Sequence, residues 1–258
     1  MLNIKTKAFT LVELLVVISI IALLLSILMP SLSKAREQAK NVVDKSNLHS
    51  WGVSFALYAA DNKDKVCAAV MMVNGQPDGW IRSLRKYFVN DKIRLCPSAS
   101  RRLPDAIVPP TLTSDFCIGS QFGAWSNAGE IGSYGMNAYA QTSDALTQRI
   151  WGIDPKLCWG NFTVKNARSI PLVADCVWGD AYVASTDRPR PKEAITSSQQ
   201  LDAYGHINRF LVNRHGKAIN LVFLDSSVQN VNLSGLWQFS WSRVYMPPRD
   251  KITIKWSK

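Results

Sequence analysis

The chain has 258 residues, 47% hydrophobic and 19% charged, with a formal net charge of +11. Such values exclude a largely disordered polymer, and the length admits a membrane helix plus one sizeable domain or two small ones. The basic surplus favours acidic partners (anionic polysaccharide, phospholipid headgroups or nucleic acid) or simply contributes to solubility.

Residues 9–29, FTLVELLVVISIIALLLSILM, are apolar except for Thr10, Glu13, Ser19 and Ser26. As a helix rising 1.5 Å per residue this run spans roughly 30 Å, the thickness of a bilayer's hydrocarbon core. A soluble core helix rarely needs so long a run without a polar face. Glu13 is the exception within it. A carboxylate in hydrocarbon is costly unless neutralised or paired, and nothing else in the run is expected to neutralise it. It marks either a function or an interfacial position just inside one end of the span. A cleaved secretory signal, with Ser31 and Ser33 before the cut, is the competing reading, although its apolar region would be unusually long.

The stretch Lys7-Ala8-Phe9-Thr10-Leu11-Val12-Glu13-Leu14-Leu15-Val16-Val17-Ile18 resembles the N-terminal signature of type IV prepilins and of type II secretion pseudopilins. The resemblance implies a leader at residues 1–8, cleavage between Ala8 and Phe9, and methylation of the new Phe9 amine by a prepilin peptidase/N-methyltransferase. Ala8 stands where that family usually has Gly. It implies further that Glu13 is the assembly carboxylate, facing the Phe9 amine of a neighbouring subunit. Opposite charges in so dry a place attract strongly, while either alone pays a desolvation penalty, so the pair would set the register between subunits. Removing residues 1–8 takes away Lys5 and Lys7 and leaves +9. Basic residues flank the span on both sides, with Lys34, Arg36, Lys40 and Lys45 after it, so charge alone does not orient it. The resemblance places the N-terminus in the cytoplasm before cleavage and the rest beyond the inner membrane, in the periplasm or outside the cell.

Helical periodicity resumes beyond Pro30. Leu32, Ala35, Ala39 and Val42, then Leu48, Trp51, Phe55 and Tyr58, recur at steps of three or four. One helix is expected from about Phe9 to Tyr58, kinked near Pro30, where the ring removes a backbone donor and clashes with the preceding turn. Heptads are too few for a coiled coil. Asp61-Asn62-Lys63-Asp64 reads as a solvated helix exit, short of a calcium-loop pattern. Residues 75–133 read as loops around short elements, with a short amphipathic helix over Trp80–Phe88. Strands are expected at residues 170–174, 218–224, 228–231 and 252–256, the second and third forming a hairpin across Asp225-Ser226-Ser227. The fold class is therefore α+β: a long N-terminal helix (9–60, of which 9–29 spans the membrane) packed on an antiparallel sheet in a globular head, 61–258.

Further phrases extend the resemblance over nearly the whole chain: Leu57–Asn62, Leu95-Cys96-Pro97-Ser98, Ser133-Tyr134-Gly135-Met136-Asn137 and Arg214–Asp225. They are similar to a pilin-like family abundant in planctomycetes, defined by a His, nine residues, then Asp-Gly near the C-terminus. His215 and Asp225 hold that spacing, and Ser226 replaces the Gly, which raises a question about the turn type.

Five cysteines lack any CxxC, which argues against a zinc ribbon or a thioredoxin-like motif. In an oxidising compartment up to two disulfides could form, with Cys96–Cys117 the favoured candidate. His206, His215, Asp175, Asp180 and Asp225 suggest a metal hydrolase at first sight, but His215 and Asp225 flank an apolar strand whose ends stand roughly 20 Å or more apart. No nucleophile motif, phosphate loop or His-rich zinc pattern accompanies them. They read as turn and strand-end hydrogen-bonders; no metal, cofactor or catalytic residue is expected. The nine tryptophans, Trp125, Trp151, Trp159 and Trp178 among them, could stack on sugars but are explained by core packing. The expected role is a non-enzymatic subunit of a type IV pilus or type II secretion pseudopilus, partnered by other pilin or pseudopilin subunits. The alternative is a membrane-anchored binding protein for polysaccharide or, less in keeping with the sequence, nucleic acid.

Overall fold

The computed structural model describes residues 10–73, 76–100, 118–120, 123–127, 130–142, 153–189, 205–249, 252 and 254. Two compact units emerge, residues 1–40 and 41–258, and helix α1 (Leu11–Asp61, 51 residues) contributes to both. In the first unit every side chain from Thr10 to Ala39 is exposed. The serines of the apolar run bond within their own helix, Ser19 Oγ to the Leu15 carbonyl and Ser26 Oγ to the Leu23 carbonyl, both at 2.7 Å. Neither hydroxyl is left to compete for partners on an otherwise hydrocarbon surface. Helical structure continues through Pro30.

In the second unit α1 buries Asp44, Leu48, Trp51, Gly52, Ser54, Phe55 and Ala59. The spacing of Leu48, Trp51 and Phe55 is the amphipathic pattern read from the sequence. The earlier part of that stripe behaves otherwise: Leu32, Ala35, Ala39 and Val42 are exposed. The helix ends at Asp61, and Lys63 and Asp64 take left-handed φ values of 56° and 63°. Asp64 Oδ1 accepts the Thr163 amide at 2.9 Å, and Asp61 accepts the Tyr87 hydroxyl at 3.0 Å. The acidic turn thus serves as a helix exit.

The expected helix at Trp80–Phe88 divides in two. After the hairpin β1 (Val70–Val73) and β2 (Gln76–Gly79), α2 (Trp80–Ser83) is followed by a 3-10 turn at Arg85–Tyr87. Trp80, Ile81 and Leu84 are buried and Arg82, Arg85 and Lys86 exposed, so its amphipathic character survives the division. A second small hairpin joins β3 (Trp125–Asn127) to β4 (Glu130–Gly132).

The main sheet among the described residues contains β5 (Tyr134–Asn137), β6 (Pro171–Asp175), β7 (Asp180–Ala181), β8 (Ala218–Phe223) and β9 (Val228–Asn232), in the order β7-β5-β6-β8-β9. The expected strands at 170–174, 218–224 and 228–231 are β6, β8 and β9, and β8 and β9 form the expected hairpin. Most of the expected strand at 252–256 lies outside the described residues. The sheet is not purely antiparallel, because β7 pairs in parallel with β5. Leaving β6, the chain crosses the end of β5, with the Cys176 amide on the Ser133 carbonyl at 2.9 Å, and comes back along its far edge. Gly135 makes this crossing feasible: a Cβ there would lie 2.5 Å from the Trp178 carbonyl oxygen and 2.6 Å from Cys176 Sγ.

Every residue of β6 and β8 is buried, since the sheet is covered on both faces. On one face Leu172, Val222 and Leu224 join Leu48, Trp51 and Phe55 of α1. On the other, Ile219, Leu221 and Phe223 pack with Phe210, Leu236, Trp237 and Trp241. The two-residue alternation along β8 assigns Asn220 to the α1 face together with Val222. In the β8–β9 turn Ser226 itself adopts the left-handed conformation, φ 64°, and Asp225 Oδ1 accepts the Ser227 amide at 2.9 Å and hydroxyl at 2.6 Å. The αL position is the one that a Gly after the Asp would occupy without steric cost.

Candidate functional site

At the start of α1 Thr10 and Glu13 form a reciprocal capping box. The Thr10 amide and hydroxyl donate to Glu13 Oε2 at 2.9 and 2.7 Å, and the Glu13 amide donates to Thr10 Oγ1 at 3.2 Å. Two of the donors that every helix N-terminus leaves unpaired are satisfied in this way. Thr10 hydrogen-bonds the Glu13 carboxylate but brings no charge that would neutralise it. Ala8 and Phe9 lie outside the described residues.

A second polar cluster is buried between α1 and the sheet. Asp44 lies one turn before Leu48 on the buried side of α1, so the packing that seats Leu48 and Trp51 also carries a carboxylate inward. Cys96 follows the 3-10 helix Asp91–Arg94, and this loop is held to α1 by Trp51 Nε1 on the Ile93 carbonyl (2.9 Å) and Asn47 Nδ2 on the Leu95 carbonyl (3.0 Å). Asp175 is the last residue of β6, and Arg214 and His215 lead into β8. A tight turn at Gly216 and Lys217, both with φ near +67°, reverses the chain there, and the His215 amide reaches the Ala218 carbonyl at 3.2 Å.

These elements converge on one nitrogen. His215 Nε2 lies 3.2 Å from Asp44 Oδ2, 3.3 Å from Asp175 Oδ2 and 3.5 Å from Cys96 Sγ. The carboxylates are fully buried and the imidazole is 1% exposed. Around them, Tyr134 Oη donates to Asp44 Oδ1 at 2.6 Å, Asn220 Nδ2 to Asp44 Oδ2 at 2.7 Å and the Asn220 amide to Asp175 Oδ2 at 3.0 Å. The Arg214 guanidinium, also fully buried, donates to Asp175 Oδ1 at 3.2 Å and to the Ser120 and Cys176 carbonyls at 3.0 Å each.

Burial pushes Asp44 up from the ordinary carboxylate range, and the charge of Asp175 adds to it, against the hydrogen bonds from His215 and Tyr134. Burial also works against the Asp175 charge, but His215 and Arg214 outweigh it and hold that carboxyl below the usual range. The imidazolium of His215 is disfavoured by burial and favoured more strongly by both aspartates, which raise it to about 9. Burial, together with the nearby carboxylates, pushes the Cys96 thiol up.

The structure separates the residues singled out in the sequence. His215 and Asp175 meet, but His215 does not meet Asp225, which sits in the exposed turn beyond β8. His206 Nδ1 accepts the Tyr182 amide at 3.2 Å, and Asp180 pairs with Arg209 at 3.0 Å. Asp44 and Arg214 were not anticipated as site residues; the helical spacing of Asp44 from Leu48, Trp51 and Phe55 is the signal that would have found it. Cys96 carries a free thiol, and Cys117 lies outside the described residues. Trp125 is buried, with Nε1 on the Tyr134 carbonyl at 3.0 Å, while Trp159 and Trp178 pack against the core, and Trp151 lies outside the described residues.

The family described as the prokaryotic N-terminal methylation motif matches residues 4–29. No curated protein and no solved structure matches the chain. The motif and the α+β architecture behind its long apolar helix make this a pilin-like fold, and they support a pilin- or pseudopilin-type protein anchored in a membrane through its N-terminus. That motif implies processing by a prepilin peptidase and assembly with other pilin subunits.

Proposed function

We propose that the chain is a subunit of a type IV pilus or a type II secretion pseudopilus. The leader is cut between Ala8 and Phe9, Phe9 is N-methylated, and α1 holds the protein in the inner membrane until it assembles, bending at Pro30. The head then lies in the periplasm or outside the cell. In the filament, Glu13 faces the Phe9 amine of a neighbour, and the exposed apolar surface of α1 packs against other copies of that helix. The observation that carries this reading is the methylation motif at residues 4–29, opening a helix whose nearly all-apolar side chains are exposed from Leu11 to Met29. A surface so apolar and so continuous needs lipid or other helices around it.

The deciding experiment is the intact mass and N-terminal sequence of the protein recovered from membranes of a cell carrying a prepilin peptidase. N-methylated Phe9 is the expected terminus. A mature protein beginning at Met1 or after Ser33 would overturn the reading.

A further inference from the structure

We infer that Asp44, Cys96, Asp175 and His215 form a structural zinc site that fastens α1 to the head. The first argument concerns protons. Two carboxylate oxygens and a sulfur surround His215 Nε2 at 3.2, 3.3 and 3.5 Å. A ring nitrogen carries one hydrogen, which cannot point well at both carboxylate oxygens at once. A cation at the centre of the four atoms serves all of them.

Distances give the second argument. Zinc bound tetrahedrally at about 2.0–2.2 Å from nitrogen and oxygen and about 2.3 Å from sulfur places neighbouring N and O ligands about 3.3–3.5 Å apart, and N and S about 3.6 Å apart. The observed separations around Nε2 lie within about 0.2 Å of those edges, and all four ligand atoms lie within 4.8 Å of one another.

The surroundings supply a third. Metal-ligating carboxylates are oriented by further hydrogen bonds. Here Tyr134 holds the outer oxygen of Asp44, Arg214 holds the outer oxygen of Asp175, and Asn220 steadies both inner oxygens. Loading balances in charge: as Zn²⁺ enters, the Nε2 proton and the Cys96 thiol proton leave to solvent.

The donor set selects the metal. A thiolate and an imidazole exclude calcium and magnesium, which take oxygen ligands, whereas a mixed S, N and O tetrahedron suits zinc. Four protein ligands leave no open position for water, so the site is structural, not hydrolytic. Its ligands come from α1, the loop before β3, the end of β6 and the approach to β8. The ion therefore ties together segments far apart in the chain, in a part of the molecule separate from the methylation motif.

The test uses the full chain, purified in detergent from cells grown with added zinc. Elemental analysis should find about one zinc per chain. Removing it with a chelator should lower the thermal midpoint, and zinc, but not magnesium, should restore it. Cobalt loaded in place of zinc should give a thiolate-to-cobalt charge-transfer band. In Cys96→Ser that band should vanish, and in Asp44→Asn zinc affinity should fall at least about tenfold. Cys158→Ser, away from the cluster, should retain both metal and band. Metal-free wild type, a Cys96–Cys117 disulfide in the purified protein, or full zinc occupancy in both Cys96→Ser and Asp44→Asn would overturn the assignment. Because the cobalt spectrum is read on wild type, the outcome does not depend on every variant folding.

Discussion

The Tyr134 hydroxyl donates to Asp44 Oδ1 at 2.6 Å across 90 residues of sequence, joining the first strand of the main sheet to the middle of α1. Both groups are buried, so neither can turn to water if the other is removed. Tyr134→Phe keeps the ring and its packing but strands a carboxylate oxygen. The expected loss is about 1–3 kcal/mol of stability, the penalty for an unsatisfied buried acceptor. Urea unfolding followed by tryptophan fluorescence measures it, and a variant as stable as wild type would show that Asp44 finds another donor.

Arg214 should matter more. Its guanidinium faces Asp175 and reaches the Ser133, Ser120 and Cys176 carbonyls from a fully buried position. Arg214→Met leaves Asp175 with His215 as its remaining cationic partner and removes the hydrogen bonds to three carbonyls, and should cost about 3–5 kcal/mol. Arg214→Lys keeps the charge but not the planar fork, so it should rescue only part of the loss. A lysine variant as stable as wild type would reduce the role of Arg214 to charge alone.

Helix α1 approaches the β8–β9 turn closely at Gly52. A Cβ there would lie 3.0 Å from Ser226 Cβ and from Val222 Cγ2. Gly52→Val should cost about 2 kcal/mol through overpacking. Gly52→Ala should stay within about 1 kcal/mol of wild type, because its helix propensity offsets the tighter contact. The opposite change is expected across the interface, where Ser226 holds a left-handed φ of 64°. Ser226→Gly should stabilise the head by about 1 kcal/mol, and an unchanged thermal midpoint would mean that the turn bears no strain.

Periodicity carried most of the architecture. Leu48, Trp51 and Phe55 mark the buried face of α1, and the β-rich runs on either side of Asp225-Ser226-Ser227 mark the hairpin. These signals are local, since the 3.6- and 2-residue repeats are written in neighbouring positions. Apolar spacing at Leu32–Val42 marked the continuing helix correctly, but periodicity reports an apolar face without saying what covers it, and these side chains are exposed. The polar cluster was beyond local reading for another reason. Asp44, Cys96, Asp175 and His215 come from four distant segments, and only the tertiary fold brings them together. His215 and Asp175 drew notice as residue types and read as turn and strand-end hydrogen-bonders; the strand length separated His215 from Asp225, but nothing local joined it to Asp175 or Asp44.

Glu13 now has two physical roles to separate. In the single chain its carboxylate accepts the amide and hydroxyl of Thr10, which caps the helix. In the proposed filament its negative charge faces the Phe9 amine of a neighbour. A glutamine at this position can keep the capping hydrogen bonds, because an amide oxygen accepts as a carboxylate does, but it carries no charge. Glu13→Gln therefore preserves the helix start and removes only the electrostatic partner. Glu13→Leu removes both, while Thr10→Val weakens the cap and leaves the charge. If charge pairing drives assembly, Glu13→Gln and Glu13→Leu should both insert in the membrane, accumulate as processed monomers and fail to crosslink to neighbouring subunits, whereas Thr10→Val should assemble. If capping is what matters, the pattern reverses: Glu13→Gln assembles, and Thr10→Val and Glu13→Leu do not. Membrane fractionation checks insertion, and disulfide crosslinking between cysteines placed along α1 reads assembly. Filaments formed at wild-type levels by Glu13→Gln would remove the charge from the mechanism and leave Glu13 as the residue that starts the helix.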